Sequence, residues 1–404
     1  MSSSAPVALY VHVPFCLSVC PYCDFVVYAG RSARGSASAI DRFVAALLND
    51  IELRAADAAH ACAGRLPPLA SVYLGGGTPS LLAPLQVERI LAACDAHFGI
   101  AAGAEVTLEA NPGEGERGDL RGFRAAGVNR LSIGAQSLQP AELRRLGRRH
   151  SPADVATTVR RARAAAFDNL SLDLLYDVPG QTLDSWRATL AATVALTPDH
   201  ISAYALSLDD PTADGLTGPD GDHLPPSAGA QRWRERARPE QDEDFAAACY
   251  ELADDAFSRA GLAWYEISNW ARPDRFSRHN LAYWLGGAYE AVGPGAHAFD
   301  GGRRRRWNGA RLDRYLAALL PGDGSPAGLP PGADEIVEPD VAESDRLILR
   351  LRTAAGLPPD EARRAGLGEA LEWGRANGLL KAASGAWQLT RRGRLLSSEL
   401  FDRV

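Results

Sequence analysis

The chain has 404 residues, of which 46% are hydrophobic and 23% charged, so it is long enough to bury one large core and a smaller second one. Its net charge of −7 argues against a general nucleic-acid binder, because neutralising phosphate takes a surplus of Lys and Arg. No 18-residue apolar run is present to span a membrane. The start, MSSSAPVALYVHVPF, lacks the basic region, long apolar stretch and cleavage site of a secretory leader, which predicts a cytoplasmic protein.

In chain order, VALYVHV at 7–13 reads as a first strand, and a helix follows from about Asp41 to Ala58. SVYLG at 71–75, EVTLEA at 105–110, RLSIGA at 130–135, LSLDLL at 170–175 and HISAYAL at 200–206 predict five more strands. Amphipathic segments lie between them near 84–98, 115–126, 140–147, 152–166 and 182–196. Repeated strand-then-helix units build a parallel sheet with right-handed crossovers. Six units are too few to close an eight-stranded barrel, yet the polar constellations follow strand ends, where barrel folds assemble their sites. The predicted fold is α/β, a partial open (β/α)6 barrel.

The stretch 209–240 is rich in Pro, Gly, Asp and Arg without periodicity and predicts a long moving loop or lid. Beyond it, 241–260 reads as a helix, 322–335 as a Gly/Pro-rich linker, and 341–404 as a small, mostly helical domain ending in a wing. The run Arg303 to Arg306, after two glycines, reads as a solvated loop, with an anion-binding role as the alternative. The expected division is a barrel over 1–240, an extension over 241–330 and a C-terminal domain over 331–404.

Of six cysteines, Cys16, Cys20 and Cys23 crowd into VPFCLSVCPYCDF with the spacing C-x3-C-x2-C. Cys62, Cys94 and Cys249 are scattered through helical segments, which is unlike a disulfide framework and predicts small core residues. Three thiolates on one short loop leave one iron of a four-iron cubane without a protein ligand, and a small molecule can chelate that corner. Structural zinc is the competing reading, but it wants four ligands and neither a second C-x2-C nor a nearby His pair follows. A redox pair of Cys20 and Cys23 would leave Cys16 without a role.

This triad in its context resembles the radical S-adenosylmethionine (SAM) superfamily. Within it, the chain resembles the family of oxygen-independent coproporphyrinogen oxidases and the haem chaperone HemW, over nearly its whole length. The resemblance implies a [4Fe-4S] cluster on Cys16, Cys20 and Cys23, with SAM on the open iron. In that superfamily the reduced cluster passes an electron into the sulfonium, releasing methionine and a 5′-deoxyadenosyl radical. The cofactor carries the hard chemistry, and protein groups orient it.

Leu74 is followed by GGGTPS, where Gly75, Gly76 and Gly77 let backbone come close to a ligand. The plain reading is a tight turn with Thr78 or Ser80 as cap and Pro79 in the first helical turn. After the cysteines, it resembles the superfamily's glycine motif, which binds the SAM amino group. Glu109 ends the third strand in LEANP, Gln136 follows the fourth in GAQS, Arg148 comes next, and Asp173 lies on the fifth. A Gln amide both donates and accepts, and Arg148 is a rigid cation suited to a carboxylate. Asp173 can accept ribose hydroxyls. In the resembled family the residues matching Tyr10, Gly76, Gly77, Thr78, Glu109, Gln136, Arg148 and Asp173 line the SAM site. Tyr22 resembles the aromatic that stacks on adenine, and Ser207, after the sixth strand, is carried over with them.

The oxidases of that family have a further cysteine two positions past the third, where this chain has Phe25. CPYCDF instead resembles HemW, as does RHNLAYW, which matches an H-N-x-x-Y-W motif at His279, Asn280, Tyr283 and Trp284. A haem site wants an axial ligand beside flat aromatic surface, and these residues supply both. The plain alternative makes His279 a hydrogen-bonded histidine and the two aromatics packing anchors. His297 and Tyr265 are further candidates. The resemblance implies a chaperone that binds haem and hands it to apo-haemoproteins, with peripheral membrane association through those recipients and a homodimer both admissible. The alternative is oxidative decarboxylation of coproporphyrinogen III. A third reading, a nucleic-acid-modifying enzyme, is suggested by the wing and opposed by the acidic charge.

Overall fold

The computed structural model describes residues 4–30, 37–64, 66–208, 212, 215–218 and 220–404. Six strands run parallel and in chain order: β1 (Ala8–Val13), β2 (Leu69–Gly76), β3 (Ile100–Ala110), β4 (Arg130–Gln136), β5 (Leu170–Tyr176) and β6 (His200–Ala205). Their alternation explains both the core and the site, because successive side chains point to opposite faces. Leu9, Val11 and Val13 on β1, Leu131, Ile133 and Ala135 on β4, and Leu170, Leu172 and Leu174 on β5 all join one apolar core. The intervening positions are polar: Tyr10 and His12, Ser71 and Tyr73, Thr107 and Glu109, Ser132 and Gln136, Ser171 and Asp173, Ser202 and Tyr204. One face of the curved sheet is thus a wall of hydrogen-bonding groups.

Later parts of the chain extend this sheet at both edges. On the β6 side, β7 (Ala263–Glu266) and β8 (Asn269–Ala271) form a hairpin, with β8 antiparallel to β6. On the β1 side, β9 (Tyr289–Val292) adds a further parallel strand, continued by antiparallel β10 (His297–Phe299), β11 (Arg304–Asn308) and β12 (Gly332–Ile336). Among the described residues the result is an open sheet of twelve strands in which β1 to β6 keep the (β/α)6 order.

Three local expectations are corrected. Arg304 to Arg306 of the arginine run lie in strand β11 rather than a solvated loop: Arg304 pairs with Asp334 at 2.9 Å, Arg305 with Asp345 at 2.6 Å, and Arg306 with Glu290. Burial pushes the Arg306 guanidinium down to about 9. The expected linker at 322–335 ends in β12, whose acidic residues face those arginines. The expected lid holds a helix, Ala228–Ala237, capped where Ser227 Oγ accepts from the Ala230 amide. Its sequence, AGAQRWRERA, hides it because polar contacts rather than an apolar stripe fasten it. Residues 209–211, 213–214 and 219 of that segment lie outside the described residues.

The C-terminal region has its own apolar cluster, with Leu347, Leu351, Leu371, Leu380 and Leu400 packed among its helices. The hairpin of β13 (Leu380–Ala383) and β14 (Ala386–Leu389) stands where the wing is expected. Among the described residues, no helix is long and apolar enough to cross a membrane.

Candidate functional site

The cysteine loop leaves the end of β1 and is held by packing at one end and backbone bonds at the other. Phe15 is buried edge-on against Phe43, ring centroids 5.1 Å apart. The Cys16 amide donates to Tyr28 O at 3.0 Å, the Tyr28 amide to Pro14 O at 2.6 Å, and the Cys23 amide to Cys20 O at 3.1 Å. The glycine motif runs beside this loop, with Gly77 N donating to Val13 O (2.9 Å) and Thr78 N to Phe15 O (2.8 Å). A Cβ on Gly77 would stand 2.7 Å from Phe15 O and 2.8 Å from Val13 O. Glycine is therefore demanded here by protein backbone. Thr78 makes no capping bond. Its hydroxyl lies 3.3 Å from Cys16 Sγ and accepts from Asn111 Nδ2 at 3.0 Å, which corrects the cap reading.

The three cysteines line a cavity of about 350 Å³ together with Tyr22, Gly76, Gly77, Glu109, Gln136, Arg148 and Asp173. Burial pushes the Cys16 thiol up to about 11, against the opposing Thr78 bond, and the Cys23 thiol up to about 12. Arg148 donates to Gly134 O at 2.9 Å and to Asn111 Oδ1, and its Nη1 lies 3.7 Å from Cys20 Sγ. Its buried Nε has no partner. Glu109 accepts from Tyr73 OH at 2.8 Å and from Gly76 N at 2.9 Å, and burial pushes it up to about 7. Asp173 accepts from Ser132 and Ser171 at 3.0 and 3.1 Å, and burial raises it as well. Gln136 sits at φ +62°, a left-handed turn where the β4–β5 register shifts.

A second cavity, about 420 Å³, adjoins the first and shares Phe25, Tyr73, Gly76, Glu109, Tyr204 and Asn280 with it. Tyr10 lines this second cavity, not the first, and its hydroxyl lies 3.1 Å from His12 Nδ1. Ser207 is exposed and lies outside both.

The H-N-x-x-Y-W segment forms a short helix, Arg278–Trp284, beside the second cavity. His279 is 1% exposed, and both ring nitrogens are engaged: Nδ1 with Ser71 Oγ at 2.9 Å and Nε2 with Tyr283 OH at 2.6 Å. Burial pushes it down to about 3. In this arrangement His279 offers no lone pair to a metal. Asn280 and Tyr283 line the second cavity, while Trp284 lines neither and bonds Glu266. Tyr265 is likewise spent, its hydroxyl 2.7 Å from His200 Nε2. Tyr73, Asn111, Arg130, Ser132 and Tyr204 line the first cavity without having been singled out in the sequence. Except for Asn111, their signal is their place on the polar face of an alternating strand.

Residues 10–192 match the family model described as the radical SAM superfamily. Over 396 residues the chain is 39% identical to a Mycobacterium tuberculosis protein named haem chaperone HemW, covering 97% of this chain and 93% of that one. The chain belongs to the HemW family of radical SAM proteins. HemW proteins of Escherichia coli (31% identical, 98% of this chain, 97% of the relative) and Bacillus subtilis (30%, 97% and 97%) match over similar lengths. The solved structure of the Escherichia coli coproporphyrinogen III oxidase HemN superposes with a TM-score of 0.75 over 99% of this chain and 90% of that one. At 23% identity it shows a shared fold.

Radical SAM membership implies a [4Fe-4S] cluster and SAM. The donor set fits that pair. Three thiols, Cys16, Cys20 and Cys23, share the wall of one cavity. Arg148 brings its Nη1 to Cys20 while its buried Nε stays without a hydrogen bond, which gives a buried cation with bonding capacity to spare.

Proposed function

We propose that this chain is a cytoplasmic haem chaperone that binds haem beside a SAM-loaded cluster and hands it to apo-haemoproteins. One observation carries the reading: 39% identity to a named haem chaperone over 97% of the chain. Two adjoining cavities, one bearing the thiols and one lined by aromatics, suit it.

In this reading Cys16, Cys20 and Cys23 hold the cluster, and cluster plus SAM supply one-electron chemistry when bound. The chain's own residues position and shield. Burial favours the neutral thiols of Cys16 and Cys23, and the cluster, when bound, would hold both as thiolates. Arg148, braced on Gly134 O and Asn111, turns its charge to a ligand carboxylate. Asp173, held by Ser132 and Ser171, accepts hydroxyls, and Glu109 keeps the Gly76 amide in place. Tyr22 packs against the apolar cluster that contains Leu146 and Val178 and offers a flat face. Tyr10, Asn280 and Tyr283 form walls for haem, with His279 bracing the Tyr283 hydroxyl. Recipient haemoproteins bring the chain to membranes where they reside, and a homodimer is compatible with this role.

Coproporphyrinogen oxidation is the second reading, favoured by the fold shared with HemN. Against it stands Phe25, 63% exposed and lining both cavities where the resembled oxidases carry a cysteine. The deciding experiment is anaerobic. Cluster-loaded protein is incubated with SAM and coproporphyrinogen III, and separately titrated with haem. A stable haem complex with no porphyrin product supports the chaperone; formation of protoporphyrinogen overturns it.

A further inference from the structure

The second cavity contains a side-chain group that no role above uses. The Asp222 carboxylate sits between two imidazoles, with Oδ1 2.9 Å from His223 Nδ1 and Oδ2 2.9 Å from His297 Nε2. All three residues line the cavity. The loop carrying Asp222 is fastened to the segment that follows β11: Ala310 N donates to Gly221 O at 2.8 Å, and Arg314, on the helix Leu312–Leu319, pairs with Asp220 at 3.1 Å. Gly295, at φ +72°, allows the close approach, since a Cβ there would stand 3.0 Å from Asp222 O and collide with Val26. His297 comes from β10, its ring stacked on Trp307 with centroids 6.0 Å apart. The loop before the helix Ala228–Ala237 therefore presents His223 to the cavity in one orientation.

The chemistry of that orientation is specific. A carboxylate at Nδ1 puts the ring proton there, so the neutral imidazole keeps its lone pair on Nε2. That nitrogen makes no hydrogen bond among the described residues, and the side chain is 27% exposed. A carboxylate behind the ring is the arrangement that fixes the tautomer of a metal-ligating histidine and raises its basicity. Because the three groups do not converge on one point, they make no cage for a bare ion. A single imidazole is enough for a metal already held in a plane by four nitrogens. Tyr10, Tyr73, Tyr283 and Tyr289 supply flat walls in the same cavity.

We propose that His223 Nε2 is the axial ligand to haem iron in the second cavity, with Asp222 as its positioning residue and His297 as the anchor of Asp222. The assignment rests on the haem-binding reading above and moves the ligand away from His279.

The test is a haem titration of the full chain followed by its Soret absorbance. His223→Ala should weaken haem binding at least tenfold and change the spectrum, while metal-free protoporphyrin IX binds both proteins equally. His223→Gly should regain the wild-type spectrum when free imidazole is added. Asp222→Asn should retain haem but raise the iron reduction potential, because an amide pushes less electron density through the ring; an unchanged potential would overturn the positioning role. Wild-type spectrum and affinity in His223→Ala would overturn the ligand and leave the chaperone reading standing. A loss in His223→Gly that imidazole does not reverse would also overturn the ligand. A wild-type chain that binds no haem would overturn both.

Discussion

Glu109 Oε2 accepts the Gly76 amide at 2.9 Å, which ties the end of β3 to the glycine turn of β2. The same carboxylate borders both cavities. Its protonation therefore bears on the wall between the cluster loop and the second cavity.

Burial pushes the Glu109 carboxyl up to about 7, from roughly 4.3 in an unfolded chain. A group that binds its proton more tightly in the fold stabilises most below the unfolded value and loses that stabilisation as pH rises through the folded one. Across that window the loss is about 4 kcal/mol. In urea denaturation of the metal-free protein, Glu109→Gln should remove that part of the pH slope. Parallel profiles for wild type and mutant would show that Glu109 does not titrate in this window. In cluster-loaded protein, Glu109→Gln should also weaken SAM binding by about tenfold, or about 1.4 kcal/mol, measured by equilibrium dialysis.

Gly77→Ala would push a Cβ to 2.7 Å from Phe15 O and 2.8 Å from Val13 O. Both obstacles are backbone and cannot rotate away, so overpacking should cost about 2 kcal/mol. Thermal unfolding of the metal-free chain reads this directly. A wild-type melting temperature would mean that the cysteine loop yields easily.

Arg234, on the helix Ala228–Ala237, donates to Pro21 O at 3.2 Å and Cys23 O at 3.0 Å, and pairs with Asp24. It grips the second half of the cysteine loop, at Pro21, Cys23 and Asp24. Arg234→Ala should leave overall stability reduced by about 3 kcal/mol and should speed iron loss to a chelator several-fold. Unaltered release kinetics would show that the helix does not steady the loop.

Asp254 joins the C-terminal region to the barrel, accepting from Trp270 Nε1 (2.8 Å), Arg391 Nε (2.7 Å) and Arg394 Nη2 (2.8 Å). Burial opposes ionisation, but the bonds from Arg394 and Trp270 hold the carboxyl below its usual range. The stabilisation is therefore present above the unfolded carboxylate value of roughly 3.9 and fades as pH falls through the lower folded one. Asp254→Asn leaves the buried Arg394 short of counter-charge, a loss of about 3 kcal/mol. Limited proteolysis at neutral pH should release the C-terminal region faster. Equal digestion rates would refute the clasp.

Much of the fold was legible because its signals are local. Leu131, Ile133 and Ala135 alternate with Ser132, Gly134 and Gln136, and that two-residue period marks a strand wherever it pairs. The edge strands were hidden for the opposite reason. Strand β9 reads as nothing special until Tyr289 to Val292 bond with Ala8 to Val11, nearly the whole barrel away in sequence. The arginines of β11 look solvated until Asp334 and Glu290 are placed beside them.

The sequence by itself determined the cysteine loop, the glycine motif and the strand-helix rhythm, since each depends only on spacing along the chain. Tertiary structure alone decided that Tyr10 faces the second cavity, that Ser71, 208 positions away, occupies the His279 ring, and that Asp222 stands between His223 and His297. A hydrogen bond is made within about 3 Å, and only the folded sheet brings such distant residues that close.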